Sequence, residues 1–137
     1  MAYWLVKSEP SVWSWQQQLD KGAAGEAWTG VRNHSAKQHL MRMKLGERAF
    51  YYHSNEGKEI VGIAEIIREH YPDPTDPSGK FVCVDLKAVQ PLKNPVTLAA
   101  IKAEPKLAEM ALLKQSRLSV QPVTDAEWRL ICEMGGV

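Results

Sequence analysis

Between Gly25 and Met43 the chain reads GEAWTGVRNHSAKQHLMRM, and this stretch restricts the possible folds more than any other. Thr29-Gly30 is a turn signal, and the short polar side chain of Asn33 suits the cap of a helix running from about His34 to Met43. An indole, Trp28, is thereby placed just before a helix N-terminus. Such an end carries unpaired N–H groups and a partial positive charge, which suits a phosphate or the polar edge of a ring. Ala36, Leu40 and Met43 recur at i, i+4 and i+7 as a buried stripe, while His34, Lys37, Met41 and Lys44 share a second, basic face. Arg32, Arg42 and Arg48 add charge nearby, with Glu47 the only acid among them. The basic face is either a solvated surface or a phosphate contact, and a phosphate contact adds affinity and salt dependence without sequence information.

Around this stretch the chain alternates short β-rich runs with short helical patterns. Tyr3 to Val6 reads as a first strand that delivers Lys7 and Ser8 to its end, because Pro10 forbids a central strand from continuing. Ser11 is placed to cap a helix with Val12, Trp15 and Leu19 at helical spacing and Gly22 at its close; Trp15 is expected in the core and Trp13 elsewhere. Ala49 to His53 and Glu59 to Glu69 read as a hairpin joined by Ser54-Asn55-Glu56-Gly57-Lys58. Strict alternation puts Val61, Ile63 and Ile67 on one face with Glu65, and Gly62 permits a close backbone approach. His70 to Lys80, with Pro72, Pro74 and Pro77, is an irregular, stiff loop that suits the edge of a pocket. Asp73 and Asp76 lack the calcium-loop pattern and read as turn residues.

Phe81 to Leu86 is a further strand, with Val89 to Leu92 as its continuation past a bulge. Thr97 caps a short helix through Ile101, stopped by Pro105, and Leu107 to Leu113 forms another turn or two. Gln115 to Val123 is the last extended run, and Thr124 to Glu127 is a capping box that opens a helix burying Trp128, Ile131 and Cys132. Strands and short helices without a βαβ rhythm predict an α+β domain built on a small, strongly bent sheet or barrel. A length of 137 residues, 45% hydrophobic and 24% charged, supports one domain with its own core spanning 1–137.

The net charge of +1 falls short of the basic excess that would by itself mark a nucleic-acid protein, so any such site is a local patch. Cys83 and Cys132 lie in apolar runs without metal-ligand spacing and read as structural thiols. No apolar run reaches the roughly 18 residues of a membrane helix, and Lys7 and Glu9 interrupt any signal-peptide core. A cytoplasmic location, no membrane partner, no metal and no cofactor are expected, and a monomer is favoured.

Trp28-Thr29-Gly30-Val31-Arg32-Asn33, with Lys7-Ser8-Glu9-Pro10 upstream and Phe50-Tyr51-Tyr52-His53-Ser54 downstream, resembles the EVE domain family. The resemblance runs on through Ile60 to Glu65, Tyr71 to Thr75 and Arg117 to Val120, over nearly the whole chain. It departs at Lys37-Gln38, where Arg-Asn is expected, and at Phe81, where Trp is common. It implies a PUA-like small mixed β-barrel with flanking helices, related to the YTH readers of 6-methyladenine in RNA. It also implies a module without catalysis whose partner is DNA or RNA carrying a modified base, held in an aromatic-lined pocket.

Such a pocket needs a flat apolar wall, donors and acceptors for the base edge, and positive charge for the strand. Trp28 is the candidate wall, with Tyr52 as a second. Thr29, Arg32 and Asn33 adjoin it, and Asn33 offers a donor and an acceptor, although capping is equally good chemistry for it. Ser8 and Lys7 are expected on the floor, with His53 and Ser54 at a neighbouring strand end. Lys37, Arg42, Lys44 and Arg117 are the candidate phosphate contacts. PUA-like barrels also include ASCH-type amidohydrolases that use a lysine, a threonine and a glutamate on modified nucleosides. Lys7, Thr29 and Glu65 are the residues for that alternative, and a free small molecule is a third kind of ligand for the same pocket.

Overall fold

A computed structural model describes residues 1–137. In chain order the elements are β1 (Tyr3–Ser8), α1 (Trp15–Asp20), β2 (Glu26–Ala27), α2 (His34–Arg42), β3 (Arg48–His53), β4 (Glu59–Pro72), β5 (Val82–Thr97), α3 (Leu98–Ala103), α4 (Ala111–Lys114), β6 (Val120–Val123) and α5 (Asp125–Met134). Short 3-10 turns lie at Gly22–Ala24 and Pro105–Leu107. The strands form one six-stranded sheet in the order β2-β5-β4-β3-β1-β6, antiparallel except for the parallel pair of β1 and β3. This is the α+β fold that the strand and helix runs predict and the PUA-like architecture that the resemblance implies, with the sheet left open between β2 and β6 rather than closed into a barrel. None of the helices is long and apolar enough to cross a membrane.

Local capping accounts for the helices. Asn33 accepts from the Ala36 N–H at 3.0 Å and Thr97 from the Ala100 N–H at 3.0 Å, while Thr124 and Glu127 form the expected capping box. The α2 stripe of Ala36, Leu40 and Met43 is fully buried. At α1 the expected start moves: Ser14, not Ser11, is the cap and completes a capping box with Gln17. The Glu9 carbonyl accepts from the N–H groups of both Val12 and Trp13, so residues 9–13 make a turn that leaves Val12 exposed. Gln18 is fully buried, with its amide donating to the Leu86 carbonyl and its oxygen accepting from the Trp13 indole.

The sheet separates two apolar layers. One contains Trp4, Val6, Trp15, Trp28, Leu40, Tyr51 and Leu86; the other contains Leu5, Phe50, Tyr52, Ile60, Ile63, Leu107 and Trp128. The β4–β5 register shifts four times, between Ile60 and Gly62, Ile63 and Ala64, Ile66 and Arg68, and Arg68 and Tyr71. Each shift breaks the period of two and bends the pair. For that reason the expected common face of Val61, Ile63 and Ile67 does not form: Ile63 packs in the layer with Phe50, whereas Val61 packs against the layer with Trp15. The last extended run is also shorter than expected, since the Leu118 N–H closes a turn on the Gln115 carbonyl and β6 begins at Val120.

Glu47 has 7% of its surface exposed, a burial that its place among basic residues did not suggest. Its carboxylate accepts from the Trp4 indole at 2.9 Å, the Ala2 N–H at 2.8 Å and the Lys44 N–H at 2.9 Å. Burial opposes its ionisation, but these donors prevail and hold its pKa below the usual 4.5. Gly62 is where the Trp15 ring lies directly on the backbone, in the space a Cβ would fill. Gly62→Ala is therefore expected to displace that indole and destabilise the fold by about 1–3 kcal/mol. A lowered urea midpoint at unchanged m-value would register it, and an unchanged midpoint would refute this packing.

Candidate functional site

Tyr51, in the middle of β3, is fully buried and touches three rings edge-on. Trp15 lies at 5.2 Å between centroids, Trp28 at 5.5 Å and His53 at 5.8 Å. Its phenol donates to the Trp13 carbonyl at 2.6 Å, and burial raises its pKa well above the ordinary 10 despite an opposing hydrogen bond with Ser8. One side chain thus fixes both the Trp28 ring and the backbone that carries Trp13. Trp28 continues the line of β2, its N–H donating to the Val84 carbonyl at 2.7 Å.

Trp13 and Trp28 border a cavity of about 620 Å³ that opens at the ends of β1 and β2. Val12, Thr29, Ser54, Ser119 and the charged residues Lys7, Glu9, Glu26, Arg32 and Arg117 also line it. Only 7% of Trp28 is accessible, so it presents a limited, rigidly backed surface. Lys7 is half-buried, and its ammonium donates to the Ser116 carbonyl at 2.8 Å. Burial lowers its pKa.

The rim beyond Thr29 is tied down by Asp73, a buried carboxylate in the proline-rich loop. Asp73 accepts from the Gly30 N–H at 2.8 Å, the Arg32 guanidinium at 3.1 Å, and the Thr75 hydroxyl at 2.6 Å and N–H at 2.7 Å. Gly30 has φ of +87°, a conformation that few residues other than glycine adopt. Burial works against Asp73 ionisation, and the Thr75, Gly30 and Arg32 donors outweigh it, so its pKa lies below 3.8. Arg32 also donates to the Thr75 hydroxyl at 2.9 Å.

Of the candidate residues, Lys7, Ser8, Trp28, Thr29, Arg32, Ser54 and Arg117 come together on the cavity. Asn33 and the other candidates lie off its lining. The Asn33 oxygen is engaged in the α2 cap. Tyr52 faces the opposite layer and is 4% exposed, because alternation along β3 turns it away from Tyr51. His53 accepts the Trp15 N–H through Nε2 at 3.0 Å. Its pKa is lowered by burial against the pull of Glu59. Lys37 sits 5.9 Å from the centre of the Phe81 ring, and Arg42 and Lys44 are exposed at the far end of α2. Glu65 pairs with Lys87 at 3.7 Å and Arg48 at 3.9 Å, so it does not join Lys7 and Thr29.

Trp13, Val12, Glu9 and Glu26 were not anticipated at the site. Helical spacing directed Trp13 elsewhere, but it precedes the Ser14 cap, so that spacing does not govern it. The available sign was a tryptophan three residues after Pro10, in the turn that follows β1.

An open, bulged sheet with a parallel β1–β3 pair and a tryptophan-bordered cavity defines a PUA-like α+β domain. Residues 2–134 match the EVE domain model, and the chain belongs to the EVE domain family. It is 33% identical to human thymocyte nuclear protein 1 over 97% of the chain and 73% of that protein. A structure from Rhodopseudomonas palustris shares 80% identity at a TM-score of 0.94, covering 99% of this chain and 94% of that one. The human THYN1 protein in complex with 5-methylcytosine-containing DNA superposes at a TM-score of 0.92 with 32% identity, covering 100% and 99%. The YTH domain of Zygosaccharomyces rouxii MRB1 superposes at 0.58 with 16% identity, covering 99% and 85%, a likeness of fold alone.

Tyr51→Phe is expected to cost about 1 kcal/mol through the lost bond to the Trp13 carbonyl, with a change in tryptophan emission. Urea unfolding followed by fluorescence measures both. Asp73→Asn is expected to cost about 2 kcal/mol at pH 7. The folded pKa is depressed, so the contribution of Asp73 is complete above 3.8 and is lost as pH falls through the lower folded value. The gap between wild-type and variant unfolding free energies should therefore narrow below pH 3.8. A gap constant with pH would contradict the charge-based account.

Proposed function

We propose that this chain is a non-catalytic reader that holds one modified base of a DNA or RNA strand in the cavity between Trp28 and Trp13. The observation that carries the reading is the convergence of two indoles with three cations, Lys7, Arg32 and Arg117, on one cavity of about 620 Å³. That volume falls within the roughly 300–1,000 Å³ of small-molecule sites. The complex of the human THYN1 protein with 5-methylcytosine-containing DNA supports the same reading for this relative.

A base entering the cavity meets the indoles first. Stacking on an aromatic contributes about 1–3 kcal/mol per base and tolerates base identity, so edge contacts carry the discrimination. Ser8, Thr29 and Ser54 supply hydroxyls that donate or accept. Arg32 is held by Asp73 and Thr75 and serves as a fixed positive rim, whereas Arg117 makes no hydrogen bond or ion pair within the protein and is available to a phosphate. Duplex DNA demands extrusion of the base at a few kcal/mol, and a single strand demands less.

Direct binding of modified and unmodified oligonucleotides, in both sugar series, tests this. One modified base should bind at micromolar affinity or tighter, and Trp28→Ala should weaken it by about 10- to 100-fold with the fold intact. Arg117→Ala should reduce the slope of log K against log salt by about 0.7–0.9. A folded Trp28→Ala protein that binds as wild type would place the base elsewhere, and equal competition by the free nucleobase would remove the phosphate contacts.

A further inference from the structure

Two carboxylates, Glu9 and Glu26, line a cavity that otherwise gathers cations. Beside a polyanion an acid is unfavourable unless the ligand gives it a donor, because an ionised carboxylate only accepts. Glu26 is the better placed of the two. In β2 it pairs with Leu86, and Trp28 follows two residues later with its N–H on the Val84 carbonyl, so Glu26 and Trp28 project from the same face of the strand. On its other side Glu26 meets Lys21 at 4.0 Å, and the Lys21 ammonium lies 5.9 Å from the centre of the Trp13 ring. The carboxylate therefore borders the cavity on the strand that carries Trp28, about one third exposed and held only by a long, solvent-facing ion pair.

We infer that Glu26 reads the exocyclic amino group of the bound base, so that the cavity selects amino-bearing bases of the cytosine or adenine type and rejects keto bases such as thymine and uracil. A carboxylate accepting from an amino N–H is the pairing by which acidic side chains recognise cytosine. A carbonyl at the same ring position offers no hydrogen, so it sets two acceptors against each other and leaves the carboxylate desolvated without a donor. Lys21 lies outside the cavity lining and reaches Glu26 only at 4.0 Å, so it yields the carboxylate as the base enters. The inference rests on the reading of the cavity as a base site and adds the chemical class of base.

Single-stranded oligonucleotides that carry one 5-methylcytosine or one thymine at the same position give the comparison, since both bases bear a 5-methyl group and differ only along one edge, an amino group beside an acceptor N3 in the first and a carbonyl beside an N3–H in the second. Fluorescence anisotropy with wild type, Glu26→Gln and Trp28→Ala, each checked by circular dichroism, is the experiment. Wild type should prefer 5-methylcytosine by about tenfold or more, and Glu26→Gln should bring the two within about threefold, because an amide both donates and accepts. If wild type does not discriminate, or Glu26→Gln keeps the preference while Trp28→Ala loses binding, the role of Glu26 is wrong and the base site stands. If Trp28→Ala binds every oligonucleotide as wild type does, the base site itself fails.

Discussion

The contact on which the site depends is the one Tyr51 makes with four neighbours at once. Its ring is fully buried and meets Trp15, Trp28 and His53 at their edges, and its hydroxyl holds the Trp13 carbonyl. Aromatic pairs at such angles contribute about 0.5–1.5 kcal/mol each beyond the area they bury. Their larger consequence is geometric. Two tryptophans from separate segments, one after β1 and one after β2, are referred to a single side chain in the middle of the sheet. The cavity between them is consequently preformed, and a planar ligand need not order its own walls.

That arrangement follows from how the sheet divides the molecule. Adjacent residues of β3 serve opposite layers: Tyr51 supports the cavity, while Phe50 and Tyr52 pack among Leu5, Ile60 and Trp128. The Trp128 ring stacks on Phe50 at 3.9 Å and on Tyr3 at 4.3 Å, closing the second layer with α5. Helices α3, α4 and α5 lie after β5 and enclose the layer remote from the site. Bulges in β4 link the two layers, because each register shift passes the chain from one packing pattern to another without ending the strand. Gly62 sits between two of those shifts, and Trp15 rests on it from the cavity side.

The parts of this architecture that were legible in the sequence are those specified by neighbours along the chain. Asn33, Thr97 and the Thr124–Glu127 box announce helices because each side chain bonds a backbone N–H three residues away. The α2 stripe and the strand runs are read the same way, and the Thr29-Gly30 turn located one wall of the cavity. What was not legible depends on partners distant in sequence. Glu47 lies among basic residues, and its burial is set by Trp4, 43 positions earlier. Asp73 reads as an ordinary turn residue, yet it also reaches Gly30 and Arg32. Trp13 was misdirected by a helical period that begins only at Trp15, and Tyr52 because alternation, which β3 keeps, does not say which face of the strand meets the cavity.

Charge at the site is similarly a matter of three-dimensional placement. The basic run after Asn33 suggested a phosphate-binding helix face, but Arg42 and Lys44 lie off the cavity and Lys37 is beside Phe81. The cations that border the cavity come from three separate segments, Lys7 in β1, Arg32 in the turn before α2 and Arg117 in the loop before β6. Two of them already have protein partners, Lys7 with the Ser116 carbonyl and Arg32 with Asp73, and these contacts fix where the positive charge stands. A ligand therefore meets a rim whose charges are largely set in advance. Under the proposed base-reader function, affinity and selectivity fall to different residues, the first to cations that any nucleic acid would satisfy and the second to a short list of hydroxyls and carboxylates that line the cavity with the indoles.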